Sequence, residues 1–181
     1  FLMERLKGIA KQADINVRRV HVIGAGVMGG DIAAWCVLQG LEVTLQDREM
    51  KYIEPALKRA KSLFVKKLRD RNRVAGAMSR LLADVEGKGV SKADVIIEAI
   101  FENADAKREL FKAIEPKMRA DAILASNTSA IPLDELASVL ENPARLIGLH
   151  FFNPVAKMPL VEVVHDKNTD PAEVERGSAF C

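Results

Sequence analysis

The sequence predicts an α/β fold in which helices cover both faces of a mostly parallel sheet. Short apolar runs alternate along the chain with longer amphipathic segments, and this alternation is typical of parallel sheets covered by helices. Several of the runs are rich in Val or Ile, as strands buried on both faces are. Gly, Asp, Asn or Pro bounds most of the runs, which limits them to the length of a strand.

Six apolar runs are predicted to be strands and four amphipathic segments to be helices. The predicted strands are residues 20–23, 43–45, 95–97, 122–125, 146–149 and 160–164. The predicted helices are residues 28–39, 54–73, 104–118 and 133–140. Gly40 follows the first helix, where a left-handed glycine commonly ends a helix. No helix-length segment separates the last two strands, so we expect them to pair antiparallel at one edge of the sheet.

The composition is that of a globular protein and excludes several other classes. Of 181 residues, 49% are hydrophobic and 29% are charged, which is too apolar for a disordered tail. No apolar run approaches the roughly 18 residues of a spanning helix, so we expect no membrane insertion. A net charge of +2 with one Trp and one Tyr gives no basis for a nucleic-acid partner. The two cysteines are far apart, so we predict no disulfide framework, no metal site and a cytoplasmic location.

The first predicted strand leads directly into a G-x-G-x-x-G motif formed by Gly24, Gly26 and Gly29. The first glycine permits a tight turn, the second lets the backbone approach a pyrophosphate, and the third packs the helix on the strand. The helix N-terminus then offers unpaired N–H groups to the phosphates. Asp47 follows the second strand at the spacing of a carboxylate that binds the adenosine ribose. The motif predicts a Rossmann-type site that prefers NAD to NADP, and the alternative is a glycine turn beside a solvated aspartate.

The chain is predicted to consist of a linker helix, residues 1–17, and a Rossmann domain, residues 18–181. Apolar residues recur at helical spacing in the first segment, namely Leu2, Leu6, Ile9 and Ala10. Asp31 lies in the first turn of the helix that follows the glycine motif, where a second negative charge near a pyrophosphate is unfavourable. The sequence leaves open whether its side chain faces solvent instead.

A histidine and a glutamate in the last third of the chain are candidates for acid–base chemistry. His150 ends an apolar strand, where loops of α/β proteins carry functional residues, and Glu162 is flanked by apolar residues on both sides. A turn between the two strands would let Glu162 reach His150. A carboxylate on one imidazole nitrogen raises the basicity of the other, which then serves as a general base. The alternative is a satisfied core histidine beside an outward-facing glutamate.

Other polar residues follow the middle strands. Ser126, Asn127, Thr128 and Ser129 come directly after the fourth predicted strand, where hydroxyl and amide groups can contact a substrate oxygen. The alternatives are a turn or a helix cap. Glu98 and Glu102 follow the third predicted strand and are expected to line the cofactor cleft. His21 and His165 have no evident partner in the sequence and are assigned no role.

These segments together resemble the NAD-binding domain of the 3-hydroxyacyl-CoA dehydrogenase family. The matching segments, in order, are VIGAGVMGGDIA, LQDRE, VIIEAIFEN, ILASNTSAI and LIGLHFFNPVAKMPLVEVV. The resemblance implies that His150 is the catalytic base, that Glu162 orients it and that Ser129 contacts the substrate. The implied cofactor contacts are Met28, Asp47, Ile100, Phe101, Glu102, Lys107, Ser129 and Asn153. Asp31 departs from the family, which usually has a small residue at that position.

The resemblance implies NAD-dependent oxidation of L-3-hydroxyacyl-CoA to 3-ketoacyl-CoA in fatty-acid β-oxidation. It also implies partners, because members of the family continue into a C-terminal helical domain through which they form homodimers. That helical domain is absent from this sequence, so we expect the chain to be a fragment of a multifunctional enzyme. An enoyl-CoA hydratase module upstream and a thiolase partner are implied in the same way. Two alternatives stay open: an NAD-binding module without turnover, and another NAD(P)-linked hydroxyacid dehydrogenase.

Overall fold

The computed structural model describes residues 15–158 and 160–181. Most of the predicted linker helix, residues 1–14, lies outside the described residues, and residues 15–17 are not helical. The strands are β1 Arg19–Ile23, β2 Glu42–Gln46, β3 Leu81–Ala83, β4 Val95–Glu98, β5 Ile123–Ser126, β6 Leu146–Phe151 and β7 Val161–Val164. The helices are α1 Val27–Leu38, α2 Met50–Leu68, α3 Arg71–Ser79, α4 Ala104–Ile114, α5 Leu133–Ala137 and α6 Pro171–Phe180.

The seven strands form one sheet in the order β3-β2-β1-β4-β5-β6-β7. Every neighbouring pair is parallel except β6 and β7, which are antiparallel. The α/β fold and the antiparallel edge predicted from the sequence are therefore confirmed. The strand order changes direction at β1, because β2 and β3 lie on one side of it and β4 to β7 on the other. Ligands of such sheets bind at this switch point, beyond the carboxyl ends of the strands.

Two hydrophobic clusters lie on opposite faces of the sheet, because successive strand residues point to opposite sides. In β4, Val95 and Ile97 belong to the cluster that α1 and α2 cover. Ile96, between them, belongs to the cluster that α4 and α5 cover. Helices therefore pack on both faces, as the sequence predicts.

The predicted helix at residues 54–73 is two helices in the structure. It begins earlier, at Met50, and ends at Leu68 because Arg69 adopts a left-handed conformation with φ of 53°. Asp70 then caps α3 by accepting a hydrogen bond of 2.8 Å from the Arg73 N–H. Two elements were not predicted: β3, a short edge strand whose Leu82 is exposed, and α6. Among the described residues, no helix is both long enough and apolar enough to cross a bilayer.

Candidate functional site

A cleft of about 1010 Å³ lies at the carboxyl ends of β1, β2, β4, β5 and β6. It contains nearly all of the site residues predicted from the sequence. They are Gly24, Gly26, Met28, Asp47, Ile100, Phe101, Glu102, Lys107, Ser129, His150 and Asn153. Gly29 and Glu162 do not line the cleft and lie behind residues that do.

The glycine loop between β1 and α1 leaves room for a ligand to approach its main chain. Gly24 has φ of +104°, and a Cβ there would lie 2.4 Å from the Ala99 carbonyl oxygen. A Cβ on Gly29 would lie 1.8 Å from the Gly24 carbonyl oxygen, so only glycine allows α1 to pack this closely on the loop. A Cβ on Gly26 would meet nothing within 4 Å. The space at Gly26 opens on the N-terminus of α1, which has no side-chain cap, and this combination fits a pyrophosphate.

Asp47 is tied to this loop from the end of β2. Its Oδ2 accepts a hydrogen bond of 2.8 Å from the Ala25 N–H, and its Oδ1 accepts one of 2.7 Å from the Arg48 N–H. Arg48 and Tyr52 line the same end of the cleft, with the guanidinium carbon 5.5 Å from the ring centroid. A carboxylate fixed by backbone donors is pre-organised to accept hydrogen bonds from ribose hydroxyl groups.

Asp31 is directed toward α2, a placement that the sequence leaves open. Its Oδ1 lies 3.8 Å from Nε of Arg59, and Nη2 of Arg59 donates to the Gly26 carbonyl oxygen at 3.2 Å. Partial burial raises the pKa of Asp31, and the neighbouring Arg59 charge opposes that rise. The ion pair offsets the negative charge that Asp31 would otherwise place near the glycine loop.

His150 and Glu162 occupy directly paired positions of the antiparallel strands β6 and β7. Nδ1 of His150 lies 3.2 Å from Oε2 of Glu162. The carboxylate occupies Nδ1, which leaves Nε2 for a group in the cleft. The Phe152 ring lies 4.6 Å from the imidazole centroid at an angle of 53°, so packing also restricts the orientation of the imidazole.

Ser129 also lines the cleft and is held there by Glu102. Oε2 of Glu102 accepts hydrogen bonds from the Ser129 N–H at 3.1 Å and from its hydroxyl at 3.2 Å. Oε1 accepts a hydrogen bond of 2.7 Å from the Thr128 hydroxyl. Partial burial alone would raise the pKa of Glu102, but these hydrogen bonds and the charge of Lys107 outweigh it and lower the pKa.

Glu98 and His21 differ from their predictions, and Asn127 has a contact that the sequence does not indicate. Glu98 does not line the cleft but is fully buried beneath it. Asn127, predicted as part of the SNTS cluster, does line the cleft, and its Oδ1 accepts a hydrogen bond of 3.0 Å from the Phe151 N–H, next to His150. His21 does have partners, since its ring nitrogens lie 2.7 Å from Oγ1 of Thr44 and 2.8 Å from Oε1 of Gln46.

In the described part of the chain, no three His, Cys, Asp or Glu side chains are grouped so that they could hold a metal ion. The polar groups that line the cleft are backbone N–H groups and carboxylate, carboxamide, hydroxyl, ammonium, guanidinium and imidazole side chains. Backbone N–H groups that can contact phosphates and a carboxylate that can contact ribose hydroxyls fit an organic dinucleotide.

Comparisons with known proteins identify the family to which this chain is similar. The model of the family described as 3-hydroxyacyl-CoA dehydrogenase, NAD binding domain, matches residues 19–181. The structure of 3-hydroxybutyryl-CoA dehydrogenase from Escherichia coli K12 is 30% identical in sequence, with a TM-score of 0.87 over 92% of this chain and 36% of that one. (S)-3-hydroxybutyryl-CoA dehydrogenase PaaH1 from Ralstonia eutropha is 32% identical, with a TM-score of 0.85 over 91% of this chain and 60% of that one.

A third similar structure is the dehydrogenase part of multifunctional enzyme 1 from C. elegans. It is 28% identical, with a TM-score of 0.79 over 92% of this chain and 40% of that one. The chain thus spans between 36% and 60% of the length of these relatives.

Proposed function

Because the chain belongs to the family of 3-hydroxyacyl-CoA dehydrogenase NAD-binding domains, we propose that it serves the NAD-dependent oxidation of L-3-hydroxyacyl-CoA to 3-ketoacyl-CoA. The observation that carries the proposal is the 3.2 Å contact between His150 Nδ1 and Glu162 Oε2 at the rim of the cleft. An imidazole held by a carboxylate is suited to accept a proton from an alcohol near neutral pH.

In this proposal His150 is the general base. Its Nε2 accepts the proton of the 3-hydroxyl group, and Glu162 stabilises the positive charge that then forms on the imidazole. Ser129 hydrogen-bonds the reacting oxygen and positions it near His150. Positioning of this kind contributes to rate because it replaces an encounter in solution by a fixed geometry.

NAD, when bound, supplies the acceptor for the hydride that leaves C3 of the substrate. The N–H groups at the start of α1, with Gly24, Gly26 and Met28, are proposed to bind the pyrophosphate. Asp47 is proposed to bind the adenosine ribose. The further proposed contacts lie across the cleft, at Ile100, Phe101, Glu102, Lys107, Ser129 and Asn153.

We further propose an acyl-CoA substrate, a role in β-oxidation and a homodimer. An enoyl-CoA hydratase module in the same protein and a thiolase partner belong to the same proposal. The similarity to the dehydrogenase part of a multifunctional enzyme supports a multienzyme context. A second candidate function is NAD binding without turnover. It is supported by the family match, which is to an NAD-binding domain and covers residues 19–181.

Two measurements test the proposal, made on this chain and on the longest product of its gene. Calorimetric titration with NADH measures cofactor binding, and the absorbance at 340 nm follows NADH consumption with acetoacetyl-CoA. We expect NADH binding in both proteins and turnover at least in the longer one. In that protein, His150→Asn is expected to lower kcat by about 10²-fold to 10⁴-fold. Binding of NADH without reduction of acetoacetyl-CoA in either protein would favour the second candidate.

A further inference from the structure

Glu98 is a buried carboxylate for which the proposed reaction has no use. It ends β4, and its side chain is 0% exposed. A buried carboxylate is costly unless hydrogen bonds and a counter-charge compensate it. Glu98 has both, because Oε1 accepts 2.7 Å hydrogen bonds from Lys107 Nζ and from the Ile100 N–H. Its Oε2 accepts one of 2.5 Å from the Ser126 hydroxyl.

One route from Glu98 to the site passes through Lys107. The Lys107 ammonium group has three hydrogens, and three acceptors surround it: Glu98 at 2.7 Å, Oε1 of Glu102 at 3.3 Å and the Ile100 carbonyl oxygen at 3.4 Å. Glu102 in turn holds the backbone and hydroxyl of Ser129. The ammonium group therefore links two carboxylates, and the second of them fixes Ser129.

The other route passes through β5. Glu98 and Ser126 are paired residues of the parallel strands β4 and β5. Oγ of Ser126 donates to Glu98 and accepts a hydrogen bond of 3.2 Å from the Thr128 N–H. This route fixes the backbone one residue before Ser129. The two oxygens of the Glu98 carboxylate are thus connected to Ser129 by two separate series of contacts.

We propose that Glu98 is a positioning residue that sets the location of Ser129 in the cleft, an inference that rests on the proposed function. The negative charge is essential to this role. In Glu98→Gln the carboxamide keeps the size of the side chain, and with its NH₂ group toward Ser126 its oxygen still faces Lys107 and the Ile100 N–H, but the Lys107 charge loses its counter-ion. The Ser126 hydroxyl can rotate and accept from the amide, whereas Lys107 and the Ile100 N–H cannot.

The first test is amide hydrogen exchange by NMR, without cofactor or substrate. In Glu98→Gln we expect exchange at Thr128 and Ser129 to rise at least about 10-fold, while amides of β1 keep their wild-type rates. Glu115→Gln is the matched control. The Glu115 side chain is 9% exposed and accepts hydrogen bonds from the N–H groups of Glu141 and Asn142, remote from the cleft. In this control, Thr128 and Ser129 are expected to exchange at wild-type rates.

The second test is steady-state reduction of acetoacetyl-CoA. Glu98→Gln is expected to lower kcat at saturating NADH by about 10-fold to 100-fold. In a Ser129→Ala background, Glu98→Gln should not lower kcat further, because the hydroxyl group that Glu98 positions has been removed. If Glu98→Gln does not fold, Ser126→Ala removes the second route and keeps the ion pair, and the diagnostic result is faster exchange at Ser129, because the Thr128 N–H loses its own acceptor in this variant.

Wild-type exchange rates at Thr128 and Ser129 in a folded Glu98→Gln protein would overturn the proposal. The proposal would also be overturned if kcat of the Glu98→Gln, Ser129→Ala double variant fell by the product of the two single losses. A wild-type protein that binds NADH but fails to reduce acetoacetyl-CoA would contradict the proposed function instead. The exchange experiment needs no substrate, so it would then decide the positioning role alone.

Discussion

His150 Nδ1 lies 3.2 Å from Glu162 Oε2 because β7 pairs antiparallel with β6 and places the two residues directly opposite each other. A parallel strand at this edge would need a long crossover connection before it could return. The antiparallel return brings a carboxylate from only 12 residues away onto the imidazole. His150 and its counter-ion therefore meet at the edge of the sheet where strand pairing changes from parallel to antiparallel.

Replacement of Glu162 by Gln is expected to slow catalysis without affecting cofactor binding. The amide retains a hydrogen-bond acceptor for His150 but no longer stabilises a positive imidazole. We expect kcat for acetoacetyl-CoA reduction to fall about 10-fold to 100-fold. The Kd for NADH should stay within about twofold, since Glu162 does not line the cleft. Stopped-flow absorbance at 340 nm and calorimetry measure the two quantities.

The matched control is Glu42→Gln, which removes another exposed carboxylate in an ion pair on a strand. Glu42 lies 3.2 Å from Arg19, far from the cleft along β2, and its side chain is 62% exposed. Exposed pairs of this kind contribute about 0 to 1 kcal/mol to stability. Both variants should therefore melt near the wild-type temperature. An equal kcat in wild type and Glu162→Gln would remove the carboxylate from the proposed mechanism.

Alanine at two positions of the glycine loop should separate binding from folding. A Cβ on Gly26 meets nothing within 4 Å, so Gly26→Ala is expected to change the free energy of unfolding by less than about 1 kcal/mol. The methyl group would occupy the space proposed for the pyrophosphate and raise the Kd for NADH at least about 10-fold. Urea unfolding and NADH fluorescence titration measure these effects.

Gly24→Ala, in contrast, is expected to destabilise the fold. Its φ of +104° and the Ala99 carbonyl oxygen 2.4 Å from the added Cβ are incompatible with alanine. We expect a loss of about 2 kcal/mol or more in unfolding free energy. If Gly26→Ala bound NADH as tightly as wild type, the pyrophosphate would have to lie elsewhere.

Asp47 is expected to set the preference for NADH over NADPH. In Asp47→Asn the side-chain oxygen can still accept a hydrogen bond from the Ala25 N–H, but the charge that repels a 2′-phosphate is gone. We expect the ratio of the two dissociation constants to shift toward NADPH by about 10-fold or more, equivalent to about 1.4 kcal/mol. Fluorescence titrations with both cofactors measure the ratio.

Arg48 provides a check on that result. Its guanidinium group lies beside Tyr52 at the same end of the cleft and can attract the 2′-phosphate once Asp47 is neutral. Asp47→Asn combined with Arg48→Ala should therefore lose most of the gain in NADPH affinity. An unchanged cofactor ratio in Asp47→Asn would place the ribose away from this carboxylate.

The sequence predicts the parts of this site that depend on local pattern. The glycine motif occupies one strand, one turn and one helix, so residues close in sequence determine its geometry. The pairing of His150 with Glu162 could also be predicted, because two strands joined by a short connection have few ways to pair.

Features that depend on contacts between distant segments could not be predicted in the same way. In the sequence Glu98 is a polar residue at the end of a strand, and its buried ion pair with Lys107 depends on the packing of α4 against β4. His21 lies 23 residues from Thr44 and 25 from Gln46, so its partners follow from the register of β1 against β2. The break between α2 and α3 depends on one left-handed residue, Arg69, which no regular period indicates.

His21 should make the stability of the protein depend on pH near neutrality. Burial lowers the pKa of His21 below its usual value of 6.5, and the hydrogen bond with Gln46 and the charge of Asp84, 3.8 Å away, only partly oppose this. The unfolded chain therefore takes up a proton near pH 6.5 that the folded protein does not. The contribution of neutral His21 is present above that pH and is lost as the pH falls from 6.5 toward the folded-state pKa, with a slope of up to about 1.4 kcal/mol per pH unit.

Urea unfolding at pH 7.5, 6.5 and 5.5 measures this dependence in wild type, His21→Gln and His165→Gln. Glutamine at position 21 can hydrogen-bond but does not titrate, so we expect this variant to lose about 1 kcal/mol less than wild type between pH 7.5 and 5.5. His165 is exposed, so its replacement should leave the wild-type dependence unchanged. Parallel curves for wild type and His21→Gln would mean that His21 takes up its proton as readily in the folded protein as in the unfolded chain.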